Sequence, residues 1–163
     1  MASSKQGGML KAGSHAPDFQ LRDLDGQPRP LQELLARGPA VLAFFKITCP
    51  VCQYTFPFLE RLHQAGSAVQ FVGVSQDSVR DTREFNRDCG VTFPTLLDEA
   101  AQGYPASNGF GISVVPSLIL VEPDGKIAWT SDGFSRDDLE ALGRRVGASP
   151  FQHGERIPDF KPG

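Results

Sequence analysis

Ala40-Val41-Leu42-Ala43-Phe44-Phe45-Lys46-Ile47-Thr48-Cys49-Pro50-Val51-Cys52 joins an unbroken apolar run to a pair of cysteines. The run, entered from Gly38-Pro39, reads as a buried strand. Beyond the cysteines, Phe56, Leu59, Leu62 and His63 recur at helical spacing, which predicts a helix over 50–65. Pro50 suits the first turn of that helix, where its missing N–H has no partner to lose. Two thiols at i and i+3 share one helix face. The first stands at the helix N-terminus, where unpaired N–H groups and the helix dipole stabilise a thiolate. This is the placement of a redox dithiol.

Outward from that stretch, residues 1–12 read as a flexible polar lead-in, 13–147 as the folded domain and 148–163 as an irregular tail without periodicity. Phe19 to Leu31 predicts a hairpin turned at Asp25-Gly26, followed by a short helix over 31–36. A strand over 69–75 leads to a helix over 79–88, capped by Ser78-x-x-Asp81 and ended by Gly90. Thr92 to Leu97 reads as a short strand, and 99–109 as irregular or weakly helical, broken by Gly103, Pro105 and Gly109. Ser117 to Val121 is a central strand, and Pro123-Asp124-Gly125 turns it into another over 126–130. Ser135-x-x-Asp138 caps a last helix over 136–146. Strands alternating with helices, closed by a hairpin and a helix, predict an α/β fold: a three-layer α/β/α sandwich with a mixed sheet. Gly154-Glu155-Arg156-Ile157-Pro158-Asp159-Phe160 echoes Gly13-Ser14-His15-Ala16-Pro17-Asp18-Phe19, and two short matches read as coincidence.

At 163 residues the chain is one domain by length, and its 12 Phe residues furnish much of a core. A net charge of −3 argues against nucleic acid or an anionic membrane surface as partner. No apolar run reaches the roughly 18 residues that span a bilayer. The first eight residues are polar and lack the apolar stretch of a signal peptide, so the expected compartment is the cytoplasm, or an exported one if a leader has been removed. The chain's 3 cysteines are too few for a disulfide scaffold. No second C-x-x-C or H-x-x-x-H is present to complete a zinc site, so no metal is expected. His15, His63 and His153 are isolated surface or lightly packed residues.

The chain resembles the thioredoxin superfamily over residues 12–146, and within it the TlpA/ResA-like and AhpC/TSA-type redoxins. The resemblance rests on Ala16-Pro17-Asp18-Phe19 with Asp25-Gly26, on Phe44-Phe45 before the dithiol, and on Pro57, eight residues after Cys49. It rests also on Val115-Pro116 before Ser117-Leu118-Ile119-Leu120-Val121, and on the extra helix and strand between 78 and 110. It implies a cis peptide bond at Val115-Pro116, in a loop that lies against the dithiol and binds substrate backbone. It implies a kinked helix at Pro57, where a proline otherwise costs about 3 kcal/mol. Thr48 stands where relatives usually have Trp, and Ala43 where thioredoxin has a buried aspartate. By position, Gln76 or Asp77 is the replacement for that aspartate near the second thiol, although Gln cannot act as a base.

The resemblance implies a thiol–disulfide oxidoreductase. Cys49 is the expected nucleophile and Cys52 the resolving thiol, with protein disulfides or dithiols as substrates and an upstream thiol reductant as partner. No cofactor is expected beyond the Cys49–Cys52 disulfide. Val115, Pro116, Thr48 and Pro50 are the candidate substrate contacts. Lys46, three residues before Cys49, is a candidate positive charge near the thiolate, although a lysine at a strand end ordinarily faces solvent. Cys89 reads first as a small buried hydrophobe, and second as an accessory resolving thiol. Trp129 reads as sheet packing. The alternative activity is a peroxiredoxin-like peroxidase, but P-x-x-x-T-x-x-C fits neither cysteine: counting back gives Phe45 and Cys49 for Cys52, and Leu42 and Lys46 for Cys49. A copper-handling module of the C-x-x-x-C type ranks third, since the spacing here is one residue short.

Overall fold

In the computed structural model, which describes residues 8–163, the apolar run forms strand β3 (Ala40–Phe45), buried along its whole length. Residues 1–7 of the expected flexible lead-in lie outside the described residues. Before β3 come the hairpin β1 (Gln20–Asp23) and β2 (Pro28–Pro30) and the short helix α1 (Leu31–Leu35). After it come α2 (Pro50–Gln64), β4 (Gln70–Ser75), α3 (Val79–Cys89) and β5 (Thr95–Leu97). A single 3-10 turn, Ala100–Gln102, leads to α4 (Pro105–Phe110), β6 (Ser117–Val121) and β7 (Ile127–Asp132). The chain closes with β8 (Phe134–Ser135), α5 (Arg136–Val146) and β9 (Phe160–Lys161).

Seven strands make one mixed sheet in the order β2-β1-β5-β4-β3-β6-β7. β3, β4 and β5 are parallel, while β6, β7, β1 and β2 join antiparallel. Alternation along the central strands splits the core in two. Val41, Ala43, Phe45, Leu118 and Leu120 face the side covered by α2, α3 and α5. Ala40, Leu42, Phe44, Ile119 and Val121 face the side covered by α1 and α4. The first core is built on Phe rings: Phe56 meets Phe45, Phe85 and Phe93 at centroid distances of 4.6, 5.3 and 5.9 Å. Gly73 makes room for this cluster, because a Cβ there would sit 3.2 Å from the Phe45 ring. The three-layer sandwich is the predicted one.

Local signals hold where the partner is close in sequence. Ser78 Oγ accepts from Asp81 N–H at 3.1 Å to start α3, and Ser135 Oγ accepts from Asp138 N–H at 3.2 Å to start α5. Both helices end on a glycine in the left-handed region, Gly90 and Gly147. Elsewhere the structure departs from the expected boundaries. β5 begins at Thr95 instead of Thr92, since Pro94 has no N–H for the ladder and Thr92 turns its N–H and hydroxyl to the Glu60 carboxylate at 2.8 and 2.6 Å. Within 99–109 the chain forms a true helix, α4, because the buried Asp98 carboxylate accepts from Ala106 N–H and Ser107 N–H at 2.9 and 2.7 Å.

The ends also differ from expectation. Met9 and Leu10 pack on the second core, and Leu10 N–H donates to Phe110 at 3.0 Å, so residues 8–12 are docked. The tail is fastened as well: β9 pairs with β8, Phe151 stacks on Phe58 at 5.1 Å, and Arg61 grips Glu155 through two 2.8 Å bonds. Each echoed Pro-Asp-Phe leads into a short strand, but Phe19 is buried and Phe160 is exposed.

Phe56→Ala removes a ring that contacts three others in the first core, and is expected to lower unfolding free energy by about 3–5 kcal/mol. Urea unfolding with an unchanged slope checks this value.

Candidate active site

The register of β6 against β3 decides where the reactive groups meet. Ser117 pairs with Phe44, so the segment just before β6 lies beside the segment just after β3. Val115-Pro116 therefore flanks Cys49, and the Val115–Pro116 bond is cis. Asp132 pairs with Ser117, which brings the end of β7 to the same rim, and Gly133 N–H donates to Pro116 at 2.8 Å.

Cys49 is the N-cap of α2. Its Sγ accepts from Cys52 N–H at 3.1 Å and lies 3.4 Å from the Val115 carbonyl oxygen, to which the thiol donates. A thiolate at Sγ keeps the first of these bonds and faces the positive end of the helix. Cys49 is half-buried and Cys52 is fully buried. Burial pushes the Cys52 thiol well above its ordinary range, and its hydrogen bond to Cys49 raises it further. A bond from the Lys46 backbone opposes this without reversing it. Cys52 thus remains a neutral donor to the Cys49 sulfur.

The loop between β3 and α2 is clamped from two sides. Ile47 N–H donates to the Asp77 carboxylate at 2.8 Å, and Gln53 Nε2 donates to the Ile47 carbonyl at 2.9 Å. Cys49 N–H closes the turn on Lys46 at 3.2 Å. Gln76 and Asp77, the candidates for serving the second thiol, have these partners in the structure. Asp77 accepts from the Ile47 amide, Gln76 donates to Ser107 Oγ at 2.8 Å, and neither is hydrogen-bonded to Cys52.

The Thr48, Pro50 and Lys46 side chains are exposed, and Lys46 makes no ion pair among the described residues. Cys89 is half-buried and lines a groove of about 470 Å³ together with Ile47, Gln53 and Pro57. Burial raises its thiol, with Asp88 adding to the effect. Pro57 lies inside α2. Trp129 packs half-buried against the first core, and His63 sits against Phe71 and Phe93 at 6.3 and 5.7 Å. Among the described residues no three His, Cys, Asp or Glu side chains gather into a metal site, and no helix is long and apolar enough to cross a membrane.

Three contributions to the site were not visible in the sequence, although Asp77 itself was a candidate residue. Gln53 and Asp77 clamp the loop, and only the four-residue step from Cys49 to Gln53 hinted at the first. The third is Tyr54, which meets Phe134 at 5.0 Å and the Lys161 ammonium at 5.3 Å. Nothing local points from Tyr54 to residues so distant in sequence.

The AhpC/TSA family profile matches residues 12–130. The thiol-disulfide oxidoreductase ResA of Bacillus subtilis (strain 168) is 31% identical over 133 residues, covering 80% of this chain and 72% of ResA. Among solved structures, Mycobacterium tuberculosis DsbF, in its mixed oxidised and reduced forms, is 30% identical with a TM-score of 0.68, over 79% of this chain and 92% of that one. Peroxidoxin BcpB from Mycobacterium tuberculosis is 26% identical with a TM-score of 0.68, over 84% of this chain and 94% of that one.

The buried Cys52 thiol also links stability to pH. Above about pH 9 an unfolded chain loses this proton while the folded chain keeps it. The unfolded state then binds fewer protons, so stability is full below that pH and falls as pH rises. The reduced protein is expected to lose thermal stability between pH 8 and 10, and Cys52→Ala is expected to flatten that loss. Cys89, raised in the same direction, retains a smaller share. Melting temperatures across this range provide the check.

Proposed function

The chain belongs to the AhpC/TSA family, and from that premise we propose that it is a thiol–disulfide oxidoreductase acting on protein disulfides through Cys49 and Cys52. The observation that carries this reading is the asymmetry of the pair. Cys49 caps α2 and is reachable, whereas Cys52 is buried, protonated and hydrogen-bonded to it.

The Cys49 thiolate attacks one sulfur of the substrate disulfide. The substrate S–S bond breaks, its other sulfur departs as a thiolate, and a mixed disulfide forms at Cys49. Cys52 then gives up its proton and attacks Cys49 Sγ. The second substrate sulfur leaves, and a Cys49–Cys52 disulfide remains. Two electrons pass to the substrate, and its two thiols take one proton from Cys52 and one from solvent, which received it when Cys49 ionised. Neither Asp77 nor Gln76 is hydrogen-bonded to Cys52, and in this reading the departing substrate sulfur is the proton acceptor for Cys52. An upstream dithiol returns the pair to the reduced state, so the disulfide itself is the only redox group required. Val115, with its carbonyl next to Sγ, is the substrate contact this reading favours. Thr48 and Pro50 line the open side.

A peroxidase reading is supported by the likeness to peroxidoxin BcpB, but neither cysteine stands in the P-x-x-x-T-x-x-C frame. Hydrogen peroxide is expected to oxidise the reduced protein no faster than a free thiol, as stopped-flow measurement of a single turnover would record. Cys49→Ser is expected to abolish insulin disulfide reduction. Cys52→Ser is expected to stop the reaction at a mixed disulfide, visible by mass spectrometry. A Cys49→Ser protein that retains full activity would sink the proposal.

A further inference from the structure

The tail folds back to the rim where the dithiol opens. β8 follows β7 through Gly133, and β9 pairs with β8 so that Ser135 lies opposite Phe160 and Phe134 opposite Lys161. Arg136 N–H donates to the Asp159 carbonyl at 3.0 Å, and the Arg136 guanidinium pairs with the Asp159 carboxylate. The Lys161 ammonium lies over the Tyr54 ring at 5.3 Å. The segment then reaches Val115, where a Cβ added to Gly163 would collide with the Val115 carbonyl oxygen. That oxygen is the acceptor for the Cys49 thiol. Gly163 and Cys49 Sγ thus crowd the same atom.

Any disulfide that reaches Cys49 Sγ passes beside Val115, whose N–H has no protein partner among the described residues. A polypeptide flanking a disulfide carries amide and carbonyl groups that pair with such an unpaired backbone edge in strand fashion. A small disulfide has no need of that edge.

We propose that residues 157–163 form a displaceable strap over the backbone edge at Val115, which a protein disulfide must lift before Cys49 attacks it. The inference rests on the dithiol reading above. The fastenings suit a strap that opens. The ladder is two residues long, the ion pair has Asp159 exposed, and the cation lies over a single ring. Two of the three exposed large apolar side chains among the described residues, Val114 and Phe160, belong to the segments that meet here, and they offer an apolar rim to an incoming chain.

The test compares single-turnover oxidation of the reduced protein by insulin and by a small aromatic disulfide. Three proteins are measured: the full chain, a chain ended after Arg156, and Gly163→Ala, whose methyl group forces the tip off Val115. Both altered proteins are expected to react with insulin about five- to ten-fold faster, the factor for an open form populated only a tenth to a fifth of the time. Their rates with the small disulfide are expected to stay within about two-fold of the full chain, since that reaction does not draw on the closed fraction. Insulin rates that are unchanged or slower in Gly163→Ala would overturn the strap, whether or not the shortened chain folds. A full chain that fails to react with the small disulfide would sink the dithiol reading, a result distinguishable from failure of the strap alone.

Discussion

Burial of β3 on both faces is the constraint on which the rest of the structure depends. A strand with six apolar side chains has to be covered on each side, so it takes a central place in the sheet, with helices on both layers. Its neighbour β6 is as deeply buried, and β4 is buried from Phe71 onward. Once β3 is central it is buried from end to end, and the chain returns to solvent in the loop that begins at Lys46. The loop that leaves it delivers Cys49 to the start of α2. The rigidity of the site is inherited from this core: Phe45, the last residue of β3, packs on Phe56, one turn below Cys52 on α2.

Within that frame the two thiols are made unequal by position alone. Cys49 stands at the helix entrance, with the α2 amides on one side and the Val115 carbonyl on the other. Cys52 is one turn deeper, against the aromatic core, where burial keeps its proton. No charged side chain near Cys52 is needed for the difference. The absence of a buried aspartate at the Ala43 position fits this picture, since Ala43 lies in the apolar layer of β3 that faces α2.

Gln53 and Asp77 hold the loop by its backbone, leaving Thr48 and Pro50 exposed. The site is therefore firm on its inner side and open on its outer side. The tail comes up to that opening through backbone atoms at Val115 and through surface pairs.

Much of this was legible in the residues themselves. Apolar alternation, helical spacing, the two Ser-x-x-Asp caps, the Pro-Asp-Gly turn and the Cys-Pro-Val-Cys placement are signals between near neighbours, whose free energies are local. They determined the elements, the layered α/β class and the identity of the reactive pair. Other features depend on contacts between residues far apart in the chain. The Asp98 carboxylate that starts α4, the capture of Asp77 by Ile47, the docking of Met9 and Leu10, and the return of residues 157–163 to Val115 all belong here. Asp77 and Gln76 show the limit most directly, since position in sequence suggested a role at Cys52 and did not reveal that Asp77 would hold the Ile47 amide or Gln76 the Ser107 hydroxyl. A side chain's partner is decided by which strands lie side by side, and strand register is a property of the assembled sheet.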